Sequence, residues 1–79
     1  MQHQRNEPQL VSAQLAGVLS LRTVPGDRVR AGQVLGTIEA MKLEAPILAP
    51  SDGVVTRVFA SDHQHLTVGD QICEIGERA

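Results

Sequence analysis

The chain has 79 residues, a net charge of −2 and a hydrophobic content of 42%, with Phe59 as its only Phe, Tyr or Trp residue. This length fits one small domain, and the apolar content argues against a wholly disordered chain. The clustered cations that bind nucleic-acid phosphates or anionic lipids are missing, and no apolar run approaches the length of a membrane span. Cys73 is the single cysteine, so it cannot form an internal disulfide or, alone, a zinc cluster. We expect a cytoplasmic domain with an aliphatic core and no nucleic-acid, membrane or metal partner.

Glycine and proline interrupt the chain every several residues, and the runs between them are aliphatic or β-branched. Apolar residues do not recur at helical spacing over any long window. Many short strands separated by turn residues are typical of an all-β barrel or sandwich. The predicted strands span residues 9–12, 17–21, 28–30, 34–39, 43–48, 53–58, 65–67 and 71–75. The predicted domain spans residues 9–76, with tails at 1–8 and 77–79.

The two halves of the chain resemble each other. Gly17-Val18-Leu19 recurs 36 residues later as Gly53-Val54-Val55, whereas the segment 31–35 recurs 37 residues later as 68–72. One residue is therefore inserted between these two matches. Two copies are too few for a repeat array, so we expect the halves to fold together into one quasi-symmetric unit. Residues 39–50 form the segment that joins the two halves.

Met41 and Lys42 are predicted to form the tip of a two-residue hairpin inside this connection. Ala40 then faces Leu43, and Glu39 faces Glu44. The turn is unusual, because two-residue hairpins favour residues that tolerate positive φ, such as Asn-Gly. Like charges on opposite strands are also mildly destabilising. Such local conflicts often mark functional sites, but a longer irregular loop with solvated charges explains the same residues.

The segment Glu39-Ala40-Met41-Lys42 resembles the attachment motif of the biotinyl/lipoyl domain family. The resemblance extends over residues 9–75 and includes the segments 25–42, Ala45-Pro46, Ala49-Pro50 and 53–55. It implies a flattened β-barrel of two four-stranded sheets with quasi-two-fold symmetry. The chain departs from the family in Gln14-Leu15-Ala16-Gly17, where Pro-Met-Pro-Gly is frequent, and in Leu43, where Met is usual. These departures leave open which carboxylase is served.

The resemblance implies that Lys42 is covalently biotinylated by a biotin protein ligase, with Ala40, Met41 and Glu39 contributing to recognition. The chain would then be a non-catalytic biotin carboxyl carrier subunit of a multi-component carboxylase. It would move carboxybiotin between a biotin carboxylase and a carboxyltransferase, as in the acetyl-CoA carboxylase of fatty acid biosynthesis. Biotin would be its only cofactor, and no residue is assigned to catalysis. Lys42 is the only lysine in the chain, so an amine-directed modification has one side-chain target.

Two other functions remain open. A lipoyl domain has the same fold but usually carries Asp-Lys-Ala at the tip, unlike the Met41-Lys42-Leu43 found here. An unmodified lipoyl-like binding module would not require a lone lysine in this context. His63 and His65 could suggest a metal site, but no third ligand accompanies them, and we interpret them as solvated. Cys73 lies in the last predicted strand and is expected to be a buried core residue.

Overall fold

A computed structural model describes residues 7–77. In chain order the strands are β1 (Gln9–Ser12), β2 (Gly17–Leu21), β3 (Arg28–Val29), β4 (Val34–Ala40), β5 (Leu43–Leu48), β6 (Gly53–Val58), β7 (His65–Leu66) and β8 (Gln71–Gly76). All eight predicted strands are present, and no helix occurs within the described residues. Four of them have the predicted bounds. The others differ by one residue: β3 and β7 end earlier, and β4 and β8 extend further.

The strands form two four-stranded antiparallel sheets. One sheet has the order β1-β8-β6-β3, and the other has the order β5-β4-β2-β7. Each sheet therefore takes two strands from the first half of the chain and two from the second. Neither half could complete a sheet alone, which confirms the predicted all-β fold of two interdependent halves. The predicted tails at 1–8 and 77–79 fall largely outside the described residues.

The backbone hydrogen bonds repeat the quasi-symmetry seen in the sequence. The amide of Gly26 donates to Val55 O at 2.7 Å, and in the other half the amide of His63 donates to Leu19 O at 2.7 Å. Similarly, the amide of Gly32 donates to Ala49 O, and the amide of Gly69 donates to Ala13 O. The two halves therefore share one backbone geometry as well as a sequence pattern.

The residue inserted between the two repeats is Thr56. In β2, Leu19 and Ser20 face two consecutive residues of β4. In β6, the register passes from Val55 directly to Arg57 over two consecutive residues of β8. Thr56 is thus the additional residue of a β-bulge. Its hydroxyl donates to Glu74 Oε1 at 2.7 Å, so the bulge is held by a side-chain hydrogen bond across to β8.

Two matching register shifts occur in the sheets, one where β5 pairs with β4 and one where β1 pairs with β8. At each shift two successive residues are buried, which interrupts the two-residue alternation of a regular strand. The core between the sheets consists mainly of aliphatic side chains. The largest fully buried side chains are Leu19, Leu35, Ile38, Leu66, Ile72, Ile75, Val55 and Cys73.

Candidate functional site

Lys42 lies at the tip of the hairpin that joins β4 to β5. Ala40 pairs with Leu43 and Glu39 pairs with Glu44, so Met41 and Lys42 form a two-residue turn. This is the predicted register. The Lys42 side chain is exposed, and within residues 7–77 it takes part in no ion pair. The side chain is therefore accessible from solvent.

Met41 adopts the left-handed conformation that the turn requires. Its φ is 57°, whereas Lys42 keeps a negative φ. This region is unfavourable for a residue with an unbranched side chain and is usually taken by glycine or asparagine. The Met41 side chain is 99% exposed, so it gains no burial in return. Within residues 7–77, the conformational strain at the tip is thus not offset by packing of the Met41 side chain.

The two faces of the hairpin differ in chemistry. Glu39 and Glu44 face each other across the strands and are both exposed, so the outer face beside Lys42 is acidic. Ala40 and Leu43 lie on the opposite face, and Leu43 is 67% exposed. Lys42 therefore projects between an acidic face and an apolar face. A protein that recognises this tip can contact both.

Gly17 fixes the base of the hairpin, a role that the sequence pattern did not reveal. It begins β2, whose next residue, Val18, pairs with Glu39. A Cβ atom at Gly17 would collide with the carbonyl oxygen of Glu39 and the side chain of Ile38. Glycine therefore allows β2 to approach β4 closely beneath Glu39. The recurring Gly-apolar-apolar segment is the signal from which this role could have been inferred, since Gly53 makes the same approach to Ile75 and Gly76.

The other candidate residues do not join this site. His63 lies in a turn with its side chain 82% exposed, and its Nδ1 is 3.5 Å from Asp62 Oδ2. Among residues 7–77, no three His, Cys, Asp or Glu side chains are grouped to hold a metal ion. Cys73 is buried as predicted, and burial raises the pKa of its thiol. In the same part of the chain no helix is long and apolar enough to cross a membrane.

Comparison of the sequence and the fold with those of known proteins identifies one family. The model of the biotin/lipoyl family, described as "Biotin-requiring enzyme", matches residues 6–75. The biotin/lipoyl attachment protein of Bacillus subtilis is 35% identical over 66 residues, which cover 82% of this chain and 90% of that protein. The biotin carboxyl carrier protein of acetyl-CoA carboxylase from Streptococcus pyogenes is 35% identical over 77 residues, which cover 87% of this chain and 46% of that protein.

A solved structure and a lipoyl-type relative extend this comparison. The structure of a single-chain, multi-domain long-chain acyl-CoA carboxylase matches with a TM-score of 0.84 and 26% identity, over 98% of this chain and 8% of that one. The dihydrolipoyllysine-residue acetyltransferase component of the Pseudomonas aeruginosa pyruvate dehydrogenase complex is 40% identical over 58 residues, which cover 73% of this chain and 11% of that protein. This chain thus spans less than half of several of the proteins it matches. By the family match, the relatives and the fold, the chain belongs to the biotin/lipoyl attachment domain family.

Proposed function

We propose that the chain is a biotin carrier in which a biotin protein ligase attaches biotin to Lys42. The observation that carries the proposal is the exposure of the only lysine on a two-residue turn in the sequence Ala40-Met41-Lys42. An acyl group needs an accessible primary amine to form an amide, and the tip of this hairpin provides one. Biotin, once bound, supplies the group-carrier chemistry, and the protein supplies attachment and orientation.

The hairpin surface supports a recognition role for Met41, Ala40 and Glu39 toward the ligase. Met41 is almost fully exposed in a strained conformation, and Glu39 and Glu44 form an acidic pair next to the reactive amine. Charged groups around a docking site increase the rate of encounter and select partners of opposite charge. We expect the ligase surface that receives this tip to have an apolar pocket for Met41 with basic groups beside it.

The carrier would serve a biotin carboxylase and a carboxyltransferase in turn. Support comes from the carrier protein and the carboxylase that it resembles. A tethered group reaches each partner at a high effective concentration, which free diffusion of the cofactor would not provide. We propose that the carboxylase served by this carrier is of the type that acts on acetyl-CoA, as for the carrier protein from Streptococcus pyogenes.

The test is the intact mass of the protein after co-expression with a biotin protein ligase and added biotin. We expect a gain of one biotinyl group, located on Lys42 by peptide mass analysis. The matched control is Lys42→Arg, which keeps the positive charge but lacks the reactive amine, and it should gain nothing. A folded wild-type chain that stays unmodified would contradict the proposal.

Lipoylation is the second candidate function, since a lipoyl-bearing enzyme component is among the relatives. The residues on either side of Lys42 favour biotin, because lipoyl domains usually carry Asp and Ala there. Incubation of the chain with a lipoate ligase, ATP and lipoic acid, measured by the same mass analysis, separates the two. Lipoylation that is faster than biotinylation would reverse the assignment.

A further inference from the structure

A groove of about 380 Å³ runs between the two edge strands β1 and β5. Its walls are residues 10–12 on one side and residues 46–48 on the other. These two segments are quasi-symmetry equivalents, 36 positions apart, so the groove lies on the quasi-two-fold axis. We call it the axial groove.

The axial groove extends further toward the Lys42 hairpin than toward the opposite end of the molecule. Leu15, Ile38 and Ala45 also line it, but their equivalents in the other half do not. Ile38 and Ala45 pair with each other two positions below the pair Ala40–Leu43 that closes the turn. Leu15 belongs to the connection that leads to Gly17, which packs beneath Glu39. One end of the groove therefore opens at the base of the hairpin.

Apolar residues lie between Lys42 and the groove on one face of β5. Alternate residues of a strand share a face, so Leu43 lies on the same face of β5 as Ala45. Leu43 is 67% exposed and borders the path from the tip to the groove. Ala45 is three residues from Lys42, or about 10 Å along an extended strand.

We propose that the axial groove binds the ring system of the biotinyl group carried on Lys42 whenever that group is outside a partner's active site. The inference rests on the proposed function. About eleven single bonds join Lys42 Cα to the rings, and at about 1.25 Å of advance per bond the rings reach roughly 14 Å from that atom. This distance covers the hairpin end of the groove. The volume is also within the usual range for pockets that bury a small ligand, about 300–1,000 Å³.

The chemistry of the groove suits the group. Aliphatic side chains such as Leu15 and Ile47 can cover the sulfur-containing ring and the acyl chain. Both walls are edge strands, so their free edges carry backbone N–H and C=O groups that could bond to the ureido ring. Ser12 and Gln14 add polar side chains at the same edge. The bound state would shelter the rings from solvent between visits to the two partner enzymes.

The test compares NMR spectra of the chain biotinylated on Lys42 with those of the chain carrying a plain pentanoyl group there. Both groups form the same amide and have the same alkyl chain, so differences between the spectra report only the rings. We expect shift differences at residues 12, 15, 38 and 47, with nuclear Overhauser contacts between ring protons and the Ile47 methyl groups. Differences confined to residues 40–44 would overturn the proposal, as would differences that vanish on dilution, since these would come from a neighbouring molecule.

A pair of variants sharpens the test. Ala45→Leu narrows the groove at its hairpin end and should abolish the ring-dependent shifts, whereas Ala31→Leu, at an exposed turn outside the groove, should leave them unchanged. Should Ala45→Leu fail to fold, the wild-type comparison decides alone. Because both acyl groups can be attached chemically to Lys42 in a chain whose N-terminal amine is already acetylated, this result is independent of enzymatic biotinylation. Failure of the ligase assay would thus not be mistaken for failure of the groove proposal.

Discussion

Met41 shows how a single residue can be unfavourable for the fold and useful for recognition. Its left-handed backbone and its almost complete exposure are the two measurable signs. His63 is the only other non-glycine residue among 7–77 with a positive φ, at 71°, and it takes the place that Gly26 holds in the other half. The chain therefore tolerates this conformation twice, once beside Lys42 and once in a turn with no assigned role.

Two non-glycine residues with positive φ, Met41 and His63, allow a first prediction. Met41→Gly should raise the free energy of unfolding by about 0.5 kcal/mol, because relief of the left-handed strain outweighs the greater flexibility of the unfolded chain. Biotinylation should nevertheless slow, since a contact surface for the ligase is lost. The measurements are urea unfolding and the initial rate of biotinylation.

His63→Gly is the matched control for Met41→Gly. It relieves the same backbone strain far from Lys42 in sequence, so stability should rise similarly while biotinylation keeps the wild-type rate. Equal rates for Met41→Gly and wild type would mean that the ligase does not use Met41.

The second prediction concerns acid stability and Asp27. Hydrogen bonds from the Val24 amide and the Thr23 hydroxyl lower the pKa of Asp27 below its ordinary value of 3.8. The folded state thus favours the carboxylate, so its stabilisation is complete above pH 3.8 and is lost as the pH falls through the lower, folded pKa. Asp27→Asn should weaken this loss, because an amide oxygen can accept the same bonds. Thermal unfolding measured between pH 2 and pH 6 would check this.

Gln64 supports the design of that variant. It occupies the position equivalent to Asp27, and its Oε1 accepts from the Ser61 amide at 2.8 Å. An amide therefore already closes the second copy of this turn. An Asp27→Asn protein with the same acid sensitivity as wild type would assign that sensitivity to other carboxylates.

Among the strands, the β4–β5 hairpin combines a predictable register with an unfavourable charge arrangement. The two-residue alternation and the turn position were enough to predict that Glu39 faces Glu44, and the structure confirms this pair. The close approach of β2 beneath the hairpin was not predicted, because it depends on the neighbouring strand. Gly17 and Glu39 are 22 positions apart in the sequence.

The third prediction concerns the charge pair. Glu44→Gln should raise the free energy of unfolding by about 0.3 kcal/mol at low salt, since like charges on opposite strands repel. The gain should shrink in 1 M salt, where the screening length is about 3 Å. Urea unfolding at both salt concentrations measures it. A gain that does not depend on salt would contradict the electrostatic explanation.

The fourth prediction concerns Gly17. Gly17→Ala should lower the free energy of unfolding by about 2 kcal/mol, because the added methyl group forces β2 away from β4. Thermal or urea unfolding measures the loss. Gly53→Ala is the control at the equivalent position and should lose a similar amount. A neutral Gly17→Ala would show that β2 can move without strain, and the hairpin would then need another explanation for its fixed base.

Across the molecule as a whole, the two sheets depend on each other. Both contain strands from both halves of the chain, and buried residues such as Leu19 and Val55 occupy equivalent places in the shared core. A domain this small buries a modest share of its surface, so it has little room for independent substructures. We therefore expect one cooperative unfolding transition.

The fifth prediction tests that cooperativity. Leu19→Ala should lower the free energy of unfolding by about 3 kcal/mol, because Leu19 is fully buried. Amide signals from β4 and from β8, in different sheets, should then disappear at the same lower urea concentration. The control is Leu10→Ala, a half-exposed residue, whose loss should be much smaller. Separate transitions for the two sheets would contradict the single-domain description.

The amino-acid sequence is sufficient to predict the strands, the internal repeat and the hairpin with Lys42 at its tip. These features depend on local alternation and on turn residues, and both can be read within a few positions. The motif around Lys42 is also sufficient to indicate the family. The predicted roles of Glu39, Ala40, Met41 and Lys42 in biotinylation stay predictions.

The position of the inserted residue, the edges that meet and the surroundings of the hairpin depend instead on the tertiary structure. The repeat offsets required one extra residue, but the pairing of β6 with β8 places it at Thr56. The axial groove exists because β1 and β5, far apart in the chain, form facing edges of different sheets. Such features arise from long-range pairing and from the closure of two twisted sheets, so no local pattern of residues specifies them.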